Sequence, residues 1–527
     1  MTADAFDAFK QGLAAGGVAF EEVASNGLDP ARVLRVNPEH WGQFAFEAKR
    51  RELRHAGLWA DDGGGATFTI RALFEKQGRY LLAQADVEKG RPSLPSQSVH
   101  FPGADRLERH TRDLYGIVFT DHPDPRRWTR HQGWDDDEFP LRKDFPAAGF
   151  AHDRTPADHL YKFTAAHGSG VYEIPVGPIH AGVIEPGHFR FLAVGETVLN
   201  LEERLGYVHK GIEKIAEGRD ADGLARLAAR VSGDTTVGHA YAACVAMEKA
   251  AALAVPPRAV WLRAVMAERE RVANHLGDIG AILNDVAFTF GFYQFSRLRE
   301  QWQRASQSVF GHRFMMDRIV PGGVAVDIDQ SQRQQMSADI HALRREMKTL
   351  MAIYDDAPSV EDRLVTTGHL DPTRARELGT LGYVARASGV DIDVRRDAPY
   401  PPYDRLAVKV PVYRYGDVAA RLRVRAEEIA VSCELLEQLL ERLPDGPVRA
   451  SWRPPAAAEG LAIIEGWRGE LMAYVRFDAD GRIARYFPRD PSVFNWPALE
   501  HLIHDNIVPD FPVCNKSVNG SYSGSDL

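Results

Sequence analysis

The stretch Arg106–Phe145, RLERHTRDLYGIVFTDHPDPRRWTRHQGWDDDEFPLRKDF, decides how the first part of the chain is read. A short helix is predicted over Asp105–Tyr115, followed by a strand-like Ile117–Thr120 and then by Asp121–Asp144, a run rich in Pro, Asp, Arg and Trp. Upstream, Asp61–Ala66 (DDGGGA) is a glycine turn, and Thr67–Ala72 alternates polar and apolar residues as a half-buried strand does. Arg79–Asp86 is placed to pair with it as a hairpin, so this region reads as a small α/β unit.

Downstream, Pro146–Val176 has little periodicity and reads as linker, with a boundary expected near residue 160. Helices dominate beyond it. Leu262, Val265, Met266, Val272, Leu276, Ile279 and Leu283 recur at helical spacing, as do Met336, Ile340, Leu343, Met347, Leu350 and Tyr354. A third helix is predicted from Arg421 to Leu443, and strands over Leu471–Phe477 and Arg482–Phe487 flank a turn at Asp478–Gly481. The fold class is α+β: an N-terminal α/β domain over 1–150, a linker over 151–175 and a mainly helical domain with small β elements over 176–527.

The 527 residues suffice for a large buried core. A formal charge of −9 excludes a typical nucleic-acid binder, which needs a basic surface. No run of about 18 uncharged apolar residues spans a bilayer, so membrane contact must come through partners. The N-terminus lacks the pattern of a secretory signal. Cys244, Cys433 and Cys514 lie far apart, which suits a reducing compartment and cannot build a four-thiolate site. No strand–GxGxxG–helix arrangement supports direct nicotinamide binding.

Within Arg106–Phe145, the pieces Arg112-Asp113-Leu114-Tyr115-Gly116, His122-Pro123, Arg126-Arg127 and Leu141–Phe145 resemble the signature of the complex I 30-kDa-type subunit, a scaffold without cofactor. Gly177–His180, Glu185–Arg190, Tyr207–Lys214, Gly322–Val324, Ala385–Gly389 with Asp393–Arg395, Gly416-Asp417 and Asn506–Ser517 resemble the complex I 49-kDa-type subunit and the large subunit of formate-hydrogenlyase-type hydrogenases. Fusion of both types in one chain also fits the hydrogenase branch.

In that branch two CxxC pairs hold nickel and iron. Here the first motif reads Arg230-Val231-Ser232-Gly233-Asp234-Thr235 and the second Asp490-Pro491-Ser492-Val493-Phe494-Asn495. Ser232, Thr235, Ser492 and Asn495 stand at the ligand positions. Hydroxyls that stay protonated and a neutral amide are hard donors where soft thiolates are needed, so no metal and no hydrogen activation are expected.

The resemblance implies a pocket in which Glu185, His188 and His180 handle protons or a quinone head group. Arg230, Ser232, Asp234, Thr235, His239, Ser492 and Asn495 are its candidate cofactor-binding residues, while Arg386, also counted as cofactor-binding, resembles with Arg395 family positions near the cluster-bearing partner, where an Arg could tune the cluster's potential. A His beside a carboxylate suits proton transfer near neutral pH; the alternative is structural hydrogen bonding beneath a lost metal site. The tyrosine that complex I pairs with its His is missing from Arg230–His239, where Asp234, Thr235 and His239 are the polar groups. Glu213, Lys214, His209 and Lys210 are placed by the resemblance close to the iron–sulfur partner, or read as a solvated face. Glu268, Arg271, Asn274, His275 and Asp278 within Ala267–Asn284 suggest a buried polar network or proton route.

Two functions follow as expectations. In one, electrons pass from a 4Fe-4S cluster in a small partner subunit to a quinone-like acceptor, while antiporter-like membrane subunits move ions. In the other, the chain is a non-catalytic coupler in the same complex. Either way the expected location is cytoplasmic, peripheral on the inner face of the cytoplasmic membrane. Any NADH link, implied by the resemblance alone, would run through another subunit.

Overall fold

The computed structural model describes residues 3–131, 134–150, 161–180, 182 and 184–527. Its N-terminal part is a five-stranded sheet in the order Phe20–Val23, Ala31–Val36, Arg79–Glu88, Thr67–Lys76, Arg54–Asp62. The predicted hairpin is there: Thr67–Lys76 and Arg79–Glu88 pair antiparallel from Thr67↔Glu88 to Lys76↔Arg79. The helix Asp105–Tyr115 has its predicted bounds and ends at Gly116, whose φ of 76° is the left-handed turn that glycine makes without strain.

The helical part is built on Pro257–Asp285, which packs on Thr289–Phe310 and Val418–Glu441; Gln330–Asp355 packs on the latter two. Asp417 opens Val418–Glu441 by accepting from Ala420 N, and Asp329 forms a capping box with Gln332. Two small sheets flank the bundle. Glu459–Gly466, Gly469–Phe477 and Ile483–Arg489 form one antiparallel meander. Val171–Val176, His188–Val194 and Thr197–Arg204 form the other. The stretch read as linker therefore ends in a strand: Val171–Val176 is held by ladder bonds to His188–Val194, a pairing that local periodicity does not reveal. The boundary expected near residue 160 lies outside the described residues.

The N-terminal sheet and the meander share one core. Trp59 stacks on Phe487 with ring centroids 5.5 Å apart, and Tyr474 lies 5.2 Å from Trp59. Buried charges bind the same junction. Glu470 accepts from Arg54 at 2.6 Å and from Tyr80 at 2.8 Å and is paired with Arg489. Glu213 is held between Arg485 and His110, the latter at 2.6 Å. Glu213 and Lys214 are buried, so this part of the Tyr207–Lys214 motif is not a solvated face; it joins the two parts of the chain. No helix among the described residues is long and apolar enough to cross a membrane.

Candidate functional site: a pocket closed by hydrogen bonds

The turn Arg230–Thr235, the start of the helix Ser492–Leu502, the meander's hairpin Gly466–Gly469 and the segment Asn519–Leu527 converge. Ser232 donates from Oγ to Asp234 Oδ1 at 2.8 Å. Its one proton being used there, the Ser521 hydroxyl 2.8 Å away donates to it. Ser492 Oγ accepts from Ser521 N at 2.8 Å. Asn495 mimics a strand partner, accepting from Leu381 N at 2.9 Å and donating to Leu381 O at 3.3 Å. Thr235 Oγ1 donates to Asp234 Oδ1 at 3.0 Å and accepts from Trp467 Nε1 at 3.0 Å and Arg468 Nη1 at 3.1 Å.

Arg468 is the centre of this arrangement. Its guanidinium reaches both Asp234 oxygens, at 2.8 and 2.6 Å, and Nε donates to Asn519 O at 2.7 Å. Such a forked pair is the strongest carboxylate grip a side chain offers. Burial pushes the Asp234 carboxyl up, but the Arg468 charge and the bonds from Arg468, Ser232 and Thr235 outweigh it and hold the group low. His239 Nε2 lies 3.0 Å from Asp490 Oδ2; burial raises that carboxyl, and His239 and Arg468 together bring it below its ordinary value.

The segment after Ser521 joins the pocket to the Glu185 turn. Ser523 N donates to Glu185 Oε2 at 3.0 Å, and Asp526 accepts from Val208 N at 3.1 Å. Burial, helped by the nearby Glu185 charge, pushes Asp526 up to about 7 against its backbone hydrogen bonds. Thus Ser232, Asp234, Thr235, Ser492, His239 and Glu185 are linked in one chain of hydrogen bonds through Ser521, Ser523 and Asp490, and Asn495 stands beside them, bonded to Leu381.

The other expected residues stand apart from it. His188 opens a strand, with Nδ1 2.9 Å from Gly177 O and Arg190 Nε 3.4 Å from Nε2, and Phe163 covers its ring at 5.1 Å. His180 is half-buried on the preceding loop, next to positions outside the described residues. Arg230 points outward to Asp317 at 2.7 and 2.8 Å. Arg386 has no exposed surface and is bonded to Glu428 at 2.9 Å and Glu465 at 3.1 Å. Sequence reading missed Trp467, Arg468 and Ser521; the available signal was a Trp-Arg pair set in the tight turn between two apolar strands.

The donors here do not fit a nickel–iron centre. The hydroxyls and the amide are hard ligands already committed to other groups of the chain, the amide to the Leu381 backbone, and a guanidinium cation sits within hydrogen-bonding distance of Thr235. Cys244, Cys433 and Cys514 are buried and free, and burial pushes the thiols of Cys433 and Cys514 up to about 12. No group of three or more His, Cys, Asp or Glu suited to a metal ion occurs among the described residues.

Fold and pocket together define a large subunit of the complex I and nickel-hydrogenase type that lacks the metal-binding motifs. Three family profiles match: the 30 Kd subunit of respiratory-chain NADH dehydrogenase over residues 34–151, nickel-dependent hydrogenase over 210–277, and the 49 Kd subunit of respiratory-chain NADH dehydrogenase over 285–457. Formate hydrogenlyase subunit 5 of Escherichia coli (strain K12) is 31% identical over 470 residues, 88% of this chain and 82% of that one. Hydrogenase-4 component G of the same organism is 32% identical over 502 residues, 94% and 86% of the two chains. A chain in the structure of the membrane-bound sulfane sulfur reductase, an archaeal respiratory membrane complex, aligns with a TM-score of 0.64 at 26% identity, covering 69% of this chain and all of that one. The chain belongs to the family of fused 30/49-kDa-type large subunits related to those of formate hydrogenlyase and hydrogenase-4.

Proposed function

We propose that this chain is the peripheral large subunit of a membrane-associated, ion-translocating respiratory complex, and that its closed pocket is a coupling element with no hydrogen activation of its own. The observation that carries this reading is the Arg468 fork on Asp234, bonded also to Thr235, one of the positions whose motif resembles the thiolate-bearing motifs of nickel–iron hydrogenases. A pocket so filled can transmit a change of charge or shape between the Glu185 turn, the Asn519–Leu527 segment and the helical core. The partners this reading calls for are a small subunit carrying a 4Fe-4S cluster and antiporter-like membrane subunits.

The alternative is transfer of electrons to a quinone-like acceptor held by His188. It needs a free ring nitrogen, whereas Nδ1 faces Gly177 O and Nε2 faces Arg190, which supports it less.

The test is made on the purified complex. Expected are no stoichiometric nickel, no hydrogen-dependent dye reduction, electron transfer that survives His188→Ala, and loss of ion pumping in Asp234→Asn at undiminished electron transfer. Nickel at one atom per chain, or electron transfer abolished by His188→Ala, overturns the reading.

A further inference from the structure

Behind the pocket lies a second, separate constellation. Arg271, Arg386 and Arg395 face Glu268, Asp393, Glu428 and Glu465, and none of the seven is more than 2% exposed. Three cations meet four carboxyls. The neighbouring charges do not close the gap. Arg425 is matched by Asp278 at 3.0 Å, Arg468 by Asp234, and Arg396 by Asp397 at 2.7 Å. Glu270 is turned the other way, accepting from Val237 N and Gly238 N at 2.7 and 3.0 Å at the start of the helix Thr236–Ala250. An unmatched charge this deep is costly, so the cluster has to hold a proton.

His275 is the obvious candidate, and the geometry speaks against it. Its Nε2 lies 2.8 Å from Glu428 Oε2, but Nδ1 has no partner, so an imidazolium would bury an unpaired N–H. Among the carboxyls the donors are unevenly shared. Glu268 accepts from Arg395, Arg271, Tyr403 and Ser432. Asp393 accepts from Arg395 and Arg386, and Glu428 from Arg386, Arg271 and His275. Glu465 has only Arg386 Nη1 and Val394 N, both at 3.1 Å.

We infer that Glu465, facing Asp393 across Arg386, takes up and releases one proton, and that this proton store is read out at the pocket through the hairpin on which Glu465 sits. Burial and the Asp393 charge push Glu465 up to about 7 against Arg386, Arg271 and Arg395, in keeping with this assignment. The readout path is short: Arg271 donates to Glu465 O and Gly466 O at 3.1 and 3.0 Å, and the next two residues are Trp467 and Arg468. Solvent comes close to the cluster: Asp393 N donates to Asp397 Oδ2 at 2.9 Å, and Asp397 lines a cleft of about 980 Å³ between the N-terminal sheet and the helical part. The proton is exchanged between solvent water and the Glu465 carboxylate; no other bond forms or breaks, and nothing is oxidised. The readout at Asp234 rests on the coupling function proposed above; the proton site does not.

The experiment compares proton release from the purified complex over about pH 6 to 8, alongside the infrared C=O stretch of protonated carboxyls. Glu465→Gln, a neutral copy of the protonated form, and Asp393→Asn, which removes the surplus charge from the other side, are each expected to release one proton fewer than the unmodified complex. Asp234→Asn is expected to release the unchanged number while altering coupling, so failure of the coupling reading shows there and failure of the proton site shows in the first two. Undiminished release from both carboxamide variants overturns the inference. So does failure of both to fold, because a neutral group at either position is what the cluster is inferred to accept.

Discussion

Arg54 and Glu470 stand 416 residues apart and meet at 2.6 Å, where the first sheet of the chain abuts the last. Glu470 is 1% exposed and Arg54 9%, and Tyr80 and Arg489 share the carboxylate. Without the Glu470 charge, Arg54 keeps Glu75 at 3.0 Å, but the buried Arg489 is left without its counter-ion. Glu470→Gln is therefore expected to destabilise the chain by about 3–5 kcal/mol, read as a lower denaturation midpoint, with the domain junction becoming the first site of proteolysis. A change below about 1 kcal/mol would show that this pair does not bind the two parts together.

The Arg468–Asp234 fork is expected to behave as a unit. In a double-mutant cycle, Arg468→Met and Asp234→Asn each destabilise the pocket, and the double variant recovers part of the loss, with a coupling energy of about 0.5–3 kcal/mol. Strict additivity in thermal denaturation would mean that the two side chains act independently.

Gly382 tests how closely the hairpin carrying Arg468 is packed. Its φ is 60°, and a Cβ there would lie 1.9 Å from Arg468 O. Gly382→Ala meets both the left-handed backbone penalty and a backbone clash, so a loss of about 2 kcal/mol or more is expected. Tolerance of alanine, measured by denaturant melts, would show that the hairpin yields.

His55 predicts a pH effect. Its ring is 3% exposed and lies against Phe74, Phe101 and Phe494. Burial, with Arg54 and Arg489 nearby, lowers it from 6.5 to about 3. The folded chain keeps it neutral while the unfolded chain binds the proton, so acid favours unfolding from about pH 6.5 down to about 3, by about 1.4 kcal/mol per pH unit. His55→Phe is expected to flatten that part of the stability–pH curve, because neither ring nitrogen has a partner to lose. An unchanged acid slope would place the titration elsewhere.

What sequence alone could deliver divides along physical lines. The helix Asp105–Tyr115, the Thr67–Glu88 hairpin and the long helices announce themselves by local periodicity, which depends on neighbours within a few residues. The loss of thiolates at Ser232, Thr235, Ser492 and Asn495 is equally local. Glu213 and Arg386 were harder, because their partners lie far along the chain: Arg485 is 272 residues from Glu213, and Glu465 is 79 from Arg386. A charged side chain says that it needs a counter-ion and not where that counter-ion is. Arg468 was out of reach for the same reason; its carboxylate lies 234 positions upstream.

The three cysteines carry one more consequence. Each thiol is sealed in a separate part of the interior and held in its protonated form, and the pocket itself is knitted from alcohols, an amide and a guanidinium. Dioxygen and alkylating reagents act on exposed thiolates, and this pocket offers none. Its integrity is therefore indifferent to redox poise, and the chain should keep this architecture in air.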